Sequence, residues 1–426
     1  MRVLHTSDWH IGRRFERAPL DDDQRAFLSW LASKVGELGV DLVVVAGDVY
    51  DRSLPAEEAV ALLDEGLDRL RAAGAVVAMI PGNHDSARRL GFGARRQALG
   101  GVHVFADDLG APEPWLFEAK GEAVAVVAVP FLDPLVAPAP VPDAHGAPRP
   151  RTHASVLEDF VGAGRDALCA YPGVPSIAVA HAFVAGAAPS DSEKTLAIGG
   201  TDLVGASIFG GFDYVALGHL HRPQVVAGDE RIAYSGSPLA YSFSESHAKS
   251  VRLVDIADGR VREVVTLPVP VGRPVVTLEG TLESLLTDAA YEAVAEHWVA
   301  ARLTDVTTQV QPLERLRRRF PYAVSVRYAR SAPIPTGVCR RADGLSSRPG
   351  STDVDMVLAF LEEVGGGPPE DWARALVAEA LAAAGGAAGL AAAGLAAAGG
   401  AAGGAAGLAA AGGAAEGGAA VAGGPA

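Results

Sequence analysis

The apolar positions of the first half of the chain fall into short runs separated by longer amphipathic stretches. Val3-Leu4 in "MRVLHTSDW" is followed by an amphipathic segment from about Asp22 to Leu38, then by "DLVVVAGD". A helix-like stretch over 55–73 comes next, and then "AVVAMIPGNHD". Near-continuous Val/Ile/Ala runs are the pattern of strands buried on both faces, and their alternation with helices predicts an α/β sheet. Further runs at 123–132, 176–184, 214–219 and 232–236 extend this reading to a layered α/β domain over residues 1–265. The proline-rich stretch 134–150 reads as an irregular excursion inside that domain.

From 266 to 330 the pattern becomes strand, helix, strand ("PVVTLEG", "LESLLTDAAYEAVAE", "WVAARLTD", "PLERLRRRF", "AVSVRY"), a compact second unit of α+β character. Residues 331–350, rich in Pro, Gly, Ser and Arg, read as a linker, and 351–380 as a short helical region. Residues 381–426 are an Ala/Gly-dominated tail. Gly and Ala contribute little insertion energy and basic flanks are missing, so the tail reads as low-complexity chain rather than a membrane span.

Composition narrows the function. The chain carries 36 basic and 51 acidic side chains, a formal net charge of −15. This argues against broad electrostatic attachment to nucleic acid and leaves room for a local basic groove or a metal-dominated site. Cys169 and Cys339 form no metal-type pair. Together with an opening stretch that lacks an h-region, this sets the expectation of a cytoplasmic protein with no membrane segment.

The candidate chemistry sits where the predicted strands end. "TSDWH" puts Asp8 and His10 two positions apart, which in an extended chain turns both side chains to one side and Trp9 to the other. Alone, the triplet reads as a helix-capping Asp beside a surface His. "VVVAGDVYD" adds Asp48, "MIPGNHDS" adds Asn83 and His84, "IAVAHAF" adds His181, and "VALGHLH" adds His219 and His221. Each has a bland reading as a turn, a cap or a core histidine. Those readings do not predict that all five segments fall at strand ends, where ligands gather in α/β sheets. Converging, they would supply three carboxylate or amide oxygens (Asp8, Asp48, Asn83) and four imidazoles (His10, His181, His219, His221). Hard oxygens mixed with imidazole, without thiolate, suit Mn²⁺ or Fe²⁺ better than a structural zinc. The other histidines, at 5, 103, 145, 153, 247 and 297, show no such pattern and read as structural.

The ordered set D-x-H, GD, GNHD, H, GHxH resembles the signature of the calcineurin-like metallophosphoesterases. "HTSDWHIGR", "HAFVAGAAPSDSEK" and "YSGSPLAYSFSE" narrow the resemblance to the nuclease subunits of double-strand-break repair complexes. The likeness covers about residues 1–380 and is strongest over the first 250. It implies an α/β metallophosphoesterase sandwich at 1–265, a small α+β capping domain at 266–330 and C-terminal helices. It implies two Mn²⁺ ions, with Mg²⁺ or Fe²⁺ as alternatives. One ion would be held by Asp8, His10, Asp48 and His221, the other by Asp48, Asn83, His181 and His219. His84 would stabilise the phosphorane-like charge or protonate the leaving oxygen, with Asp85 as its orienting partner.

The activity implied is DNA cleavage, as 3′–5′ double-strand exonuclease and single-strand endonuclease, in a heterotetramer of two such chains with an SMC-like ATPase subunit. DNA end and hairpin processing in repair, recombination and replication is the implied setting. Docking on the ATPase would use the helical region, where Val354, Val357, Leu358 and Leu361 are spaced as an apolar stripe; packing within the chain explains that stripe equally. Some relatives have a histidine three residues after the bridging aspartate; here that position is Asp51, so their cleavage preference does not transfer. Arg88, Arg89, Arg95 and Arg96 after "GNHD", and the run Arg315, Arg317, Arg318 and Arg319, are candidate phosphate contacts against an acidic background. Two other readings stay open: a phosphodiesterase of small phosphoesters, and a catalytically vestigial scaffold tethering DNA ends.

Overall fold

A computed structural model of the chain describes residues 1–106, 112–193, 203–329, 353–365, 369 and 372–381. The expected linker at 331–350 and all but the first residue of the expected tail at 381–426 lie outside the described residues. Contacts group residues 1–329 into one compact unit and 330–426 into another.

The first unit begins with β1 (Arg2–Thr6), the two-residue strands β2 (Arg14–Phe15) and β3 (Ala18–Pro19), β4 (Leu42–Ala46), β5 (Val76–Ile80) and β6 (Val102–Val104). It continues through β7 (Trp115–Ala119), β8 (Glu122–Val129), β9 (Ser176–His181), β10 (Tyr214–Gly218), β11 (Gln224–Val226) and β12 (Asp229–Tyr234). The strands β13 (Ser250–Ala257) and β14 (Arg260–Pro268) complete the series, with β14 passing through residue 265. Apart from β2 and β3, which pair with each other, they form two six-stranded sheets, ordered β14-β13-β1-β4-β5-β6 and β11-β12-β10-β9-β8-β7. The central pairs β1–β4, β4–β5, β8–β9 and β9–β10 are parallel, β6 runs parallel to β5 at one edge, and antiparallel pairs close the other three edges.

The sheets face each other across a core of Val3, Leu42, Val44 and Ile80 from the first and Val124, Val126, Ile177, Val179 and Tyr214 from the second. Helices α1 (Asp21–Leu38) and α2 (Glu57–Ala72) cover the outer face of the first sheet. The short helices α3 (Ala87–Leu90) and α4 (Ala94–Leu99) follow the third parallel strand, and α5 (His153–Ala167) covers the second sheet. Helix α1 forms where three aspartates favour the positive end of the helix dipole, buries Phe27, Leu28, Leu31 and Val35 on one stripe, and stops at Gly39 in a left-handed conformation. The result is the layered α/β sandwich expected from the runs, because strands apolar on both faces are stable only with a cover on each side.

Strands β15 (Val275–Gly280), β16 (Trp298–Leu303) and β17 (Ala323–Tyr328) form a separate parallel sheet with α6 (Leu282–Thr287) and α7 (Pro312–Arg317) around Leu285, Leu303, Leu316 and Phe320. This sheet meets the sandwich through Phe15, stacked on Trp298 at 5.2 Å, with Leu239, Tyr241 and Val275 completing the contact. Arg273 bonds Asp23 at 3.0 Å and lies 3.8 Å over the Tyr322 ring. The second unit contains α8 (Asp353–Gly365) and a helix at 372–381. In α8, Leu358 is buried while Phe360 and Leu361 are exposed. Among the described residues no helix is long and apolar enough to cross a membrane.

Candidate metal centre

The loops that leave the C-terminal ends of β1, β4, β5, β9 and β10 meet at one point between the sheets. Asp8, His10, Asp48, Asn83, His84, His181, His219 and His221 all lie there. The first two do not share a side by strand alternation: β1 stops at Thr6, and Asp8 and His10 take left-handed φ of 53° and 43°. Asp48 and His219 also have positive φ, 50° and 108°. Four candidate donors in a backbone region that side chains avoid is strain gathered at a functional site. The backbone holds them there: Asp8 N donates to Gly47 O at 3.0 Å and His10 N to Asp48 O at 2.9 Å, so the two loops zip onto each other. Trp9 turns away, 1% exposed, its Nε1 bonded to Thr6 Oγ1 at 3.0 Å beside Phe27. Gly82 and Gly218 permit the crowding, since a Cβ on either would collide with Asp48 or with the Ala46 carbonyl.

The donors form three overlapping groups: Asp8, His10 and His221; His10, Asp48 and His84; Asp8, Asp48 and His181. Within each, candidate ligand atoms lie within 4.8 Å of one another. The histidine tautomers follow from their outer partners. His181 Nδ1 is 2.8 Å from Ala46 O, which can only accept, so Nδ1 carries a proton, and Nε2 faces Asn83 Oδ1 at 2.9 Å and Asp48 Oδ2 at 3.5 Å. His221 Nδ1 points to Glu245 Oε1 at 3.2 Å, which leaves Nε2 facing His10 Nε2, 3.1 Å away. With Nδ1 turned outward on each ring, Nε2 is the nitrogen left to face a metal. Buried carboxylates, an amide oxygen and imidazole nitrogens crowded this closely fit hard divalent cations of the Mn²⁺, Fe²⁺ or Mg²⁺ kind.

Electrostatics divide the donor set: burial opposes charge on His181 and His221, but Asp48 beside the first and Glu245 beside the second raise both, His181 to about 9, so a bound metal would displace a proton from each ring. Burial alone would raise the Asp48 carboxyl, but His181 and His10 beside it hold it well below the usual carboxylate range. Burial lowers His219 to about 3, helped by the neighbouring His181, and drives His10 well down, so both rings are neutral donors. Asp8 is pushed up to about 6 by burial; its Oδ1 accepts His219 N at 2.9 Å and its Oδ2 accepts Ser7 Oγ at 2.6 Å.

Not every residue sits as its motif suggests. Sequence reasoning makes Asp85 the orienting partner of His84, but its carboxylate accepts the backbone N–H groups of Val49, Tyr50 and Gly82 at 3.0, 2.9 and 2.8 Å. It is thus a clamp on the Asp48 loop. His84 Nδ1 instead bonds the Asp51 carbonyl at 2.8 Å, and His84 N bonds Asp48 Oδ1 at 2.9 Å. Arg88 lines a cleft of about 520 Å³ that it shares with Asn83, Asp85, Phe131 and Asp133. Arg89 is exposed and donates to Ser53 O, and Arg95 and Arg96 are exposed on α4. In the 315–319 run, Arg317 donates to Ala323 O and Arg319 to Leu285 O and Asp288 O, which spends them on the small sheet's own backbone.

Other functional neighbours carry no signal in their spacing. Ser192, Glu193, Tyr241, Glu245 and Lys249 pack behind the centre, within or just beyond the stretches "HAFVAGAAPSDSEK" and "YSGSPLAYSFSE". His153 lines a small apolar cavity with Phe131, Phe183, His181 and His219, and His247 Nε2 approaches the His221 carbonyl at 3.2 Å. His5, by contrast, is fully buried between Tyr214 and the Leu217 carbonyl and lies within the sheet packing.

Residues 1–223 match the family described as calcineurin-like phosphoesterase. The chain is 34% identical over 290 residues to the SbcD component of the SbcCD nuclease of Escherichia coli strain K12, covering 67% of this chain and 72% of that protein. The protein of the same name from Escherichia coli O157:H7 matches to the same extent. A solved dimetal phosphatase from Danio rerio is 14% identical over 63% of this chain and 99% of its own, with a TM-score of 0.36. By its donor set and its sequence matches, the chain belongs to the calcineurin-like phosphoesterases, in the branch of the SbcD nuclease subunits.

Proposed function

We propose that the protein is a two-metal DNA nuclease subunit, cleaving as a 3′–5′ double-strand exonuclease and single-strand endonuclease. In this reading Asp8, His10, Asp48 and His221 hold one ion, and Asp48, Asn83, His181 and His219 hold the other. The observation that carries it is the pair of Nε2 atoms of His10 and His221 facing each other at 3.1 Å in a buried pocket rimmed by Asp8 and Asp48. Bound divalent ions would supply Lewis acidity at the phosphate and an activated water for in-line displacement. Mn²⁺ is the proposed metal, with Mg²⁺ or Fe²⁺ as alternatives.

The chain's own residues prepare the rest. Asp48 presents Oδ2 to His10 and His181, both at 3.5 Å, so one carboxylate serves both halves. His84, its Nδ1 proton committed to the Asp51 carbonyl, offers Nε2 to the phosphate or the leaving oxygen. Donating a proton from Nε2 requires the doubly protonated ring, so His84 acts as an acid only when charged. Arg88, at the cleft beside Asn83, is proposed to meet a backbone phosphate.

We further propose that residues 266–330 cap the site, and that α8, with Phe360 and Leu361 exposed, docks on an SbcC-type SMC-like ATPase. A homodimer of this chain within a heterotetramer, working in the cytoplasm on DNA ends and hairpins, completes the reading. The test is cleavage of linear duplex DNA by the purified protein, with and without the ATPase partner. Degradation with Mn²⁺ that stops on chelation supports the assignment; inertness on DNA with fast turnover of cyclic nucleotides supports the small-phosphoester reading instead. Metal binding without hydrolysis of either would leave the tethering scaffold.

A further inference from the structure

Behind His221 lies a buried polar cluster that metal ligation alone does not explain. The Glu245 side chain is fully buried, its Oε1 3.2 Å from His221 Nδ1 and 2.8 Å from Ser192 Oγ. Its Oε2 is 2.6 Å from the buried Lys249 ammonium, which also donates to Ser237 Oγ at 2.9 Å. Ser192 Oγ lies 2.9 Å from the same Nδ1, and the Glu193 carboxylate accepts the His221 backbone N–H. Partners from the β9–β10 connection and from the stretch before β13 thus converge on one imidazole.

We propose that Glu245, locked by Lys249, is the positioning residue that fixes the ring and tautomer of His221. The inference rests on the metal-centre reading and assigns a second layer to it. A carboxylate can only accept, so the Nδ1 proton is pinned outward and Nε2 is aimed at the site. Lys249 occupies the other carboxylate oxygen, which leaves a single arrangement of Glu245. Desolvating a carboxylate and an ammonium costs about as much as their attraction returns, so stability is a weak reason for placing such a pair here. Orienting a ligand and raising its basicity is a sufficient one, because partners of this kind tune affinity by roughly 10–100-fold.

The experiment is Mn²⁺ titration of the metal-free full chain by calorimetry, alongside thermal melts. The wild type should show two binding steps. Glu245→Leu/Lys249→Met removes both charges and the acceptor; one step should weaken by roughly 10–100-fold and the other should hold. Glu245→Gln/Lys249→Met is equally neutral but keeps a carbonyl acceptor for Nδ1, and should bind close to wild type. In a His221→Ala background the Leu/Met pair should add no further loss. Wild-type binding by the Leu/Met variant, equal weakening of both steps, failure of the Gln/Met variant to rescue, or additive loss with His221→Ala would each overturn the proposal. If the wild type binds no divalent ion, the metal-centre reading itself falls and this proposal with it.

Discussion

The two halves of the donor cluster are built differently. The half around Asp8, His10 and His221 is sealed: Asp8 and His10 are 0% exposed and His221 2%, with Tyr241 donating to Trp9 O and the Glu245–Lys249 pair behind. The half around Asn83, His181 and His219 is less closed: Asn83 is half-buried and His219 7% exposed, and this half borders both the cavity lined by His153, Phe131 and Phe183 and the cleft lined by Arg88. A buried, fully bonded half is suited to holding an ion, and an open half is suited to admitting substrate. Asp48 stands between them.

That division is broken most completely at Asp48. Asp48→Ala should abolish both Mn²⁺ binding steps in calorimetry and reduce DNA cleavage to background, because one carboxylate faces His10 and His181 at the same time. His10→Ala and His221→Ala should each remove the same single step, whereas His219→Ala should remove the other. If His10→Ala and His219→Ala weakened the same step, the two-half description would be wrong.

Next in size is His84. Its ring abuts His10 edge-on, 4.7 Å between centroids, and is held from outside by the Asp51 carbonyl. His84→Ala should therefore keep both binding steps while kcat for duplex cleavage falls about 10²–10⁴-fold, the range for loss of a positioned acid or base. A variant that lost metal as well would place His84 among the ligands, an assignment open to it because His10, Asp48 and His84 form one of the three donor groups.

The donors of both halves are legible in the sequence, and the backing of the sealed half is not. "GNHD" and "GHLH" are local patterns, and a strand followed by glycine and a donor says where the donor will be. For Asp8 and His10 the convergence is as expected, but its physical reason differs. Alternation in a strand would align them, yet the chain turns left-handed at both, and the carbonyls of Gly47 and Asp48 accept their backbone N–H groups.

The backing of the sealed half leaves no trace in the pattern. Ser192, Glu245 and Lys249 lie 29, 24 and 28 residues from His221, and only the packing of the β9–β10 connection and the stretch before β13 brings them to it. The short strands β2 and β3 are equally silent, since two residues carry no periodicity, although Phe15 stacks on Trp298 and joins the small sheet to the sandwich.

The smallest expected effect tests how substrate meets the open half. Arg88 is exposed and lines the cleft beside Asn83 and Asp85, whereas Arg319 spends its guanidinium on the carbonyls of Leu285 and Asp288. Both belong to arginine-rich runs, and only their surroundings tell them apart. A lysine or arginine that meets a phosphate releases counterions on binding, so its loss lowers the slope of log affinity against log salt by about 1. Arg88→Ala should therefore weaken DNA binding at low salt, flatten that slope and raise KM with kcat nearly unchanged. Arg319→Ala should leave the slope alone and lower the melting temperature, because carbonyls of the small sheet's unit lose their donor. Equal slopes for Arg88→Ala and wild type would detach the cleft from the DNA path, and a changed slope for Arg319→Ala would return the 315–319 run to it.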